Sequence, residues 1–304
     1  MWIRLVRKMY LAARRVLLGT GLSLIPPFSW IKMTVVRHLR GAERVPVLGS
    51  WMRRDPSDCL NLAVNGVYEP LDTAFAENVV KTGDTVVDVG ANIGYYTCYF
   101  ARLVGPTGHV LAFEPARDTM EILCDNVRYN GYSHVVLENQ AVTEKSGPLT
   151  LYIKEGNPGD NRIFKDDVES VPRPEQAAEG VCLDDVAFLR EHKPSFIKMD
   201  IQGAEILAIR GMRRVLKESP DVCVLLEYWP YGLIRLGFRP EALVEDLLGM
   251  GLKVCRVTDE GKLVPVDPAQ LKNLCGVGVG IYINLVAAHP ARMAALMAER
   301  TLTA

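Results

Sequence analysis

The stretch Thr85-Val86-Val87-Asp88-Val89-Gly90-Ala91-Asn92-Ile93-Gly94 constrains the fold more than any other part of the chain. Its first five residues are too few for a stable helix and rich in valine, so they read as a short buried strand. Gly90 and Gly94 permit a sharp turn, and Tyr95–Leu103 has the composition of a helix that follows at once. From Asp84 the alternation continues. Strands are predicted at His109–Phe113, Val135–Leu137, Ser195–Asp200, Val222–Tyr228, Leu252–Val257 and Val277–Leu285. Helices are predicted at Arg117–Asn130, Gly203–Lys217 and Pro240–Met250, with one more at Pro70–Lys81. Ser146–Ile153 reads as a hairpin arm, and the polar stretch Asn157–Gly180, with Pro158, Pro172 and Pro174, as a loop or insertion. Such alternation predicts an α/β fold, a Rossmann-like, mostly parallel sheet with helices on both faces.

In an open α/β sheet, ligands bind outside the carboxyl ends of the strands, and the first strand–helix turn is the favoured place. A dinucleotide fingerprint would put glycines at 90, 92 and 95, but the chain has Gly90, Asn92 and Tyr95. The remaining pattern, Asp88, Gly90 and Gly94, suits a nucleoside whose 5′ substituent is not a phosphate chain. Glu114 closes the second strand 24 residues after Gly90. That is near the spacing of a carboxylate that accepts hydrogen bonds from ribose hydroxyls, although a strand-end acid in water has the same look.

At these residues the chain resembles the FkbM-type methyltransferases. The likeness runs through Gly83–Thr97 and Phe113-Glu114-Pro115. It continues through Leu183-Asp184-Asp185 and Ile197-Lys198-Met199-Asp200-Ile201-Gln202-Gly203-Ala204-Glu205, and on to Glu227-Tyr228-Trp229-Pro230 and Asn284-Leu285-Val286. It covers about residues 65–287. The resemblance implies S-adenosylmethionine (SAM) as cofactor and a class I methyltransferase fold of seven strands, the last antiparallel. It also implies that Glu114 holds the ribose. Asp88, Gly90, Asn92 and Gly94, with Ala91 in the same turn, would line the methionine half, and Asn139, Gln140 and Ala141 would lie near the adenine. It implies an oxygen acceptor, a hydroxyl of a glycan, glycolipid or secondary metabolite. One position departs from the pattern: Gln202 stands where the family usually has Glu.

Methyl transfer to a hydroxyl needs alignment and a proton acceptor. Asp200 ends the fourth strand and suits both tasks, or it caps the helix that follows. Glu205 is either a second functional carboxylate or a first-turn acid favoured by the helix dipole. Lys198 points to the same side of its strand as Asp200, either to keep it ionised or as a strand-end charge. Glu227 ends the fifth strand and faces the site or is a buried, hydrogen-bonded acid. Asp160, Asn161 and Arg162 form a candidate substrate lip, with Arg162 meeting an anionic or sugar group; otherwise they are a turn. Tyr68-Glu69 either closes over the cofactor or starts the helix at Pro70. Trp229 and Tyr231 are expected to pack. Two other functions stay open: a non-catalytic scaffold of the same fold, which Gln202 favours, and a nicotinamide-dependent oxidoreductase, which the incomplete glycine set disfavours.

Charge divides the chain. Residues 1–54 hold eleven Lys/Arg and one acid, and the remaining residues hold 24 bases and 35 acids. A basic amphipathic extension over 1–60 is thus expected ahead of a methyltransferase domain over 61–290 and a short helical tail over 291–304. In residues 2–18, Trp2, Leu5, Val6, Met9, Ala13 and Val16 share a helical face opposite most of the bases. Residues 1–30 fit an anionic membrane surface, or pack that face on protein. Val16–Ile31 and Asn273–Ala291 lack charge but carry Pro and Gly, and neither reads as a membrane span. Pro26-Pro27, with no cleavage site following, argues against a signal peptide. Seven scattered cysteines without a C-x-x-C pair read as reduced thiols rather than a zinc site. The expected compartment is therefore the cytoplasm, with the inner face of the membrane as the alternative docking place. No metal is expected, and the lack of interleaved aromatics argues against nucleic acid.

Overall fold

The computed structural model describes residues 2–17, 34–36, 38–39, 41–166, 168–169, 171–268, 271 and 275–298. Helix α1 spans Trp2–Leu17. Strands β1 (Arg44–Val47) and β2 (Ser50–Arg53) form a hairpin, and a helix over Pro70–Val79 leads into β3 (Thr85–Val89). The Tyr95–Val104 helix, β4 (His109–Phe113), the Arg117–Tyr129 helix and β5 (Val135–Glu138) complete a parallel half-sheet. Strands β6 (Ala141–Val142), β7 (Gly147–Tyr152) and β8 (Glu175–Val181) form a separate small sheet. The chain then returns to the main sheet through β9 (Phe196–Met199), β10 (Cys223–Tyr228), β11 (Lys253–Val257), β12 (Leu263–Pro265) and β13 (Ile283–Ala288).

The main sheet has the order β12-β11-β13-β10-β9-β3-β4-β5. Strands β10, β9, β3, β4 and β5 are parallel, and β13 runs antiparallel between β10 and β11. The expected seven strands are present with the seventh antiparallel, and β12 adds an eighth, three-residue edge. Both faces are covered, which is why the strands read as unbroken valine-rich runs. Val87, Ile197, Val224 and Ala287 belong to the core on one face, and Val86, Phe196, Leu225 and Val286 to that on the other.

Three sequence expectations are corrected. The 157–180 stretch is not all loop, because it ends in β8, which pairs antiparallel with β7 from Tyr152↔Glu175 to Gly147↔Gly180. That small sheet is half-solvated, so β8 needs no apolar alternation and gives no strand signal. The helix predicted over 203–217 is two helices, Glu205–Arg210 and Arg213–Glu218. Gly211 marks the break, where a Cβ would overlap the Thr143 carbonyl oxygen of the chain crossing there. The Asp184 carboxylate then accepts the Arg214 and Val215 backbone N–H groups at 2.9 Å each, capping the second helix from a distant loop. Finally, the last strand begins at Ile283 rather than Val277. Val277, Val279, Ile281 and Tyr282 are exposed, so the stretch ahead of Ile283 is a surface segment and not part of the sheet.

Among the described residues of the basic extension, Leu39, Val45, Val47 and Met52 are buried in the same core as Tyr99 and Phe100. The Asn126 side chain bonds the Arg53 backbone N–H and carbonyl, and Asn130 does the same for Trp51. The β1–β2 hairpin is thereby bound to the Arg117–Tyr129 helix.

Candidate active site

Side-chain alternation puts a polar row at the carboxyl edge of one sheet face. Along β3, β9 and β10, apolar residues fill that face until the last position, which is Asp88, Lys198 and Glu227 in turn. Asn284 of β13 lies opposite Glu227. The Pro70–Val79 and Tyr95–Val104 helices cover this row and add Glu69, Asp72 and Tyr96. Asp72 accepts a hydrogen bond from Asn284 Nδ2 at 2.6 Å, and Glu69 one from the Tyr96 hydroxyl at 3.0 Å.

Lys198 sits at the centre of this row, 2% exposed. Its Nζ is 3.9 Å from Glu69 Oε2 and 5.1 Å from the centre of the Tyr96 ring. Burial alone would depress the ammonium, but Glu69, Asp200, Asp72 and Glu227 outweigh it and hold Lys198 charged. The carboxyls respond oppositely. Burial pushes Glu69 up to about 7 against the pull of Lys198, and it raises Asp72 and Glu227 as well. A lone cation among four acids cannot keep all of them ionised at little cost.

Beside this cluster opens a cleft with about 890 Å³ of empty space, counting its mouth. Ten of the sequence-predicted residues line it: Asp88, Gly90, Ala91, Asn92, Glu114, Gln140, Ala141, Asn161, Lys198 and Asp200. Glu114 is 6% exposed at the end of β4. Its Oε2 accepts the Asn92 N–H at 2.8 Å and its Oε1 the Ala116 N–H at 2.9 Å. Burial pushes its carboxyl up to about 7. Each oxygen keeps a further lone pair for a sugar hydroxyl. Asp88 accepts from Thr97 Oγ1 at 2.6 Å, and burial raises its carboxyl to about 6. At Gly90 (φ 84°), a Cβ would overlap the Asp200 carbonyl oxygen, so glycine is required for the cofactor turn to lie against the end of β9.

Asn92, in the left-handed region at φ 50°, closes the alternative of a dinucleotide. Its own N–H goes to Glu114 and its Oδ1 accepts the Ile93 N–H at 2.7 Å. The amides that would cradle a pyrophosphate are therefore committed to protein groups.

Seven predicted residues lie elsewhere. Gly94 packs against Leu123, where any Cβ would press on that side chain, so it serves helix packing and not the cofactor. Asn139 donates to the Glu114 carbonyl at 2.7 Å and fixes the turn beneath the cleft. Glu205 is fully buried; its Oε1 accepts the Ile201 N–H at 3.0 Å, and burial lifts its carboxyl to about 7. It is a helix-start acid that ties down the 201–205 turn, which corrects its assignment as catalytic. Glu69 and Glu227 belong to the Lys198 cluster behind the cleft wall. Arg162 is buried, with its guanidinium 2.7 Å from Asp160, 2.9 Å from Asp166 and 4.7 Å from the Trp229 ring centre. Asp160 is further held by Arg173 at 2.8 Å. The expected contact of Arg162 with an anionic acceptor is thus replaced by an internal ion-pair network, and only Asn161 of the lip reaches the cleft.

Sequence reasoning missed Asp72, Thr97, Tyr95 and Tyr96. An acid in the first turn after Pro70 looks like an ordinary dipole partner, and only the sheet register shows what it meets. Tyr68, raised by burial and by Asp200, also lines the cleft.

The α/β sheet, with a carboxylate-lined cleft at the carboxyl ends of its strands, is that of a class I SAM-dependent methyltransferase. Residues 88–233 match the family model described as the methyltransferase FkbM domain. The chain is similar to methyltransferase sdnD of Sordaria araneosa, 28% identical over 53% of this chain and 71% of that one. It is also similar to methyltransferase 1 of Beauveria bassiana, 26% identical over 42% of this chain and 57% of the relative. Among solved structures, a SAM-dependent O-methyltransferase of Thermotoga maritima aligns with a TM-score of 0.42 at 14% identity, covering 81% of this chain and 77% of that one.

The described residues fit the cofactor. Glu114 has acceptor capacity for the ribose, the Gly90 turn is open to the cleft, and Gln140 with Phe113, Val142 and Leu151 provides a mixed apolar wall for a base. When bound, SAM supplies an electrophilic methyl carbon.

Proposed function

We propose that this chain methylates a hydroxyl on a small organic acceptor such as a glycan, glycolipid or secondary metabolite, with Asp200 accepting the hydroxyl proton. The observation that carries this reading is the placement of Asp200. It lines the cleft beside Lys198, and its Oδ1 accepts a hydrogen bond from Gln202 Nε2 at 2.9 Å. Of the other acids at the cleft, Asp88 is bonded to Thr97, and the lone pairs that Glu114 keeps beside its two backbone amides are those assigned to the ribose. Gln202, held at φ 53° with Gly203 at φ 96° behind it, aims its amide at the carboxylate. A glutamate there would set a second negative charge against Asp200. The departure from the family pattern therefore supports an oriented base, and weakens the scaffold reading.

Asp200→Asn is expected to lower kcat by about 10²–10⁴-fold, as loss of a general base does, with SAM affinity within about twofold of wild type. Transfer of label from methyl-tritiated SAM to a hydroxylated acceptor panel, beside calorimetric SAM titration, measures both. Unchanged turnover in the variant would remove Asp200 from the chemistry. No transfer by wild type that still binds SAM would restore the scaffold reading.

A further inference from the structure

We infer that the outward face of α1 is a docking surface for an anionic lipid bilayer. Five bases and no acid occur in Trp2–Leu17. The helix docks on the body through Val6, Arg7 and Tyr10, while Leu5 and Met9 stay 56% and 64% exposed. Arg7 fixes this roll. Its Nη1 donates to the Pro46 carbonyl at 2.8 Å, and its guanidinium fills the space where a Cβ on Gly66 would lie. Arg14 adds a bond to Asn65 Oδ1 at 3.3 Å.

This orientation is informative because another was open to the same sequence. Burying Leu5 and Met9 and leaving Arg7 in water would avoid the cost of desolvating a cation. The helix instead buries a cation and presents Leu5, Met9, Ala12 and Ala13, spaced by four, three and one residues, with Lys8 beside them on the same exposed surface, while Arg14 turns to the body. An apolar strip with a cation beside it, on a helix that has five bases and no acid, is what an interfacial helix presents to acyl chains and anionic headgroups. A nucleic acid or an acidic peptide would satisfy the cations and leave the Leu and Met side chains in water. Among the described residues no helix is long and apolar enough to cross a membrane, so the contact is with the surface.

The full chain should co-sediment with vesicles of phosphatidylcholine containing about 30 mol% phosphatidylglycerol, at least about fivefold more than with phosphatidylcholine alone, and less as salt rises. L5E/M9E should reduce that binding about tenfold, with thermal midpoint unchanged because both side chains are exposed. K8E should reduce it less and mainly at low salt. Wild-type vesicle binding by L5E/M9E would overturn the inference. So would failure of the full chain to bind anionic vesicles at low salt. Dimerisation lost in L5E/M9E without vesicle binding would give the face to a second copy instead, and binding of RNA in preference to vesicles would give it to a nucleic acid.

Discussion

Replacing Lys198 with Met is expected to lower the melting temperature by about 10 °C or more and to abolish methyl transfer. The side chain is buried, and Glu69, Asp72, Asp200 and Glu227 all contribute to keeping it charged. Removing one partner of a buried charge cluster costs about 3–5 kcal/mol, because the charges left behind have neither water nor a counter-ion. In a chain of this size each kcal/mol moves the midpoint by a few degrees. The loss should depend on pH with a definite sign. Glu69 titrates near 7 in the folded protein, above its usual 4.5. Its contribution to stability is full below the unfolded value and is lost as pH rises through about 7. Without Lys198 the cost of ionising it grows, so the gap between variant and wild type should widen from pH 6 to pH 8. Scanning calorimetry across that range tests this. An unchanged midpoint would mean that the four acids do not rely on the lysine.

The second large effect falls on cofactor binding. Glu114→Ala is expected to weaken SAM binding about 100-fold, the loss of two hydrogen bonds to a charged acceptor at about 1.5–3 kcal/mol each, offset in part by water. The wild type should also bind SAM more tightly as pH rises. Burial pushes the Glu114 carboxyl up to about 7, and ribose hydroxyls donate better to the ionised form. Between pH 6 and pH 8 the affinity should therefore rise about tenfold, and Glu114→Ala should flatten that slope. Calorimetric titration at three pH values measures both effects. A steep slope retained in the variant would move the titrating group elsewhere, with Asp88 the next candidate.

The cofactor half of the site was legible in the sequence because it is local. Asp88, Gly90, Asn92 and Glu114 sit on two consecutive strand ends whose spacing is fixed by one helix. The acceptor half was legible only in part. Lys198 and Asp200 stand two apart on one strand, so alternation pairs them. Glu69 and Asp72 come from a helix more than a hundred residues earlier, and nothing in their own neighbourhood shows that they meet Lys198. Arg162 misled for the opposite reason. A polar loop with an arginine looks available to a ligand, whereas Asp160 and Asp166 of the same loop fold back onto it and tertiary packing adds Trp229. Strand β8 was hidden because the small sheet exposes much of both faces, and the break at Gly211 because its cause is the backbone of Thr143.

The cap that Asp184 supplies to the Arg213–Glu218 helix has a kinetic consequence. A helix of six residues cannot hold itself together, and its first amides are satisfied by a carboxylate about thirty positions upstream. Refolding of this helix must therefore wait until the excursion carrying β6, β7 and β8 has docked against the main sheet. Hydrogen exchange at the Arg214 and Val215 amides then reports on that docking, and Asp184→Ala should make both exchange faster while the amides of β3 and β4 keep their protection.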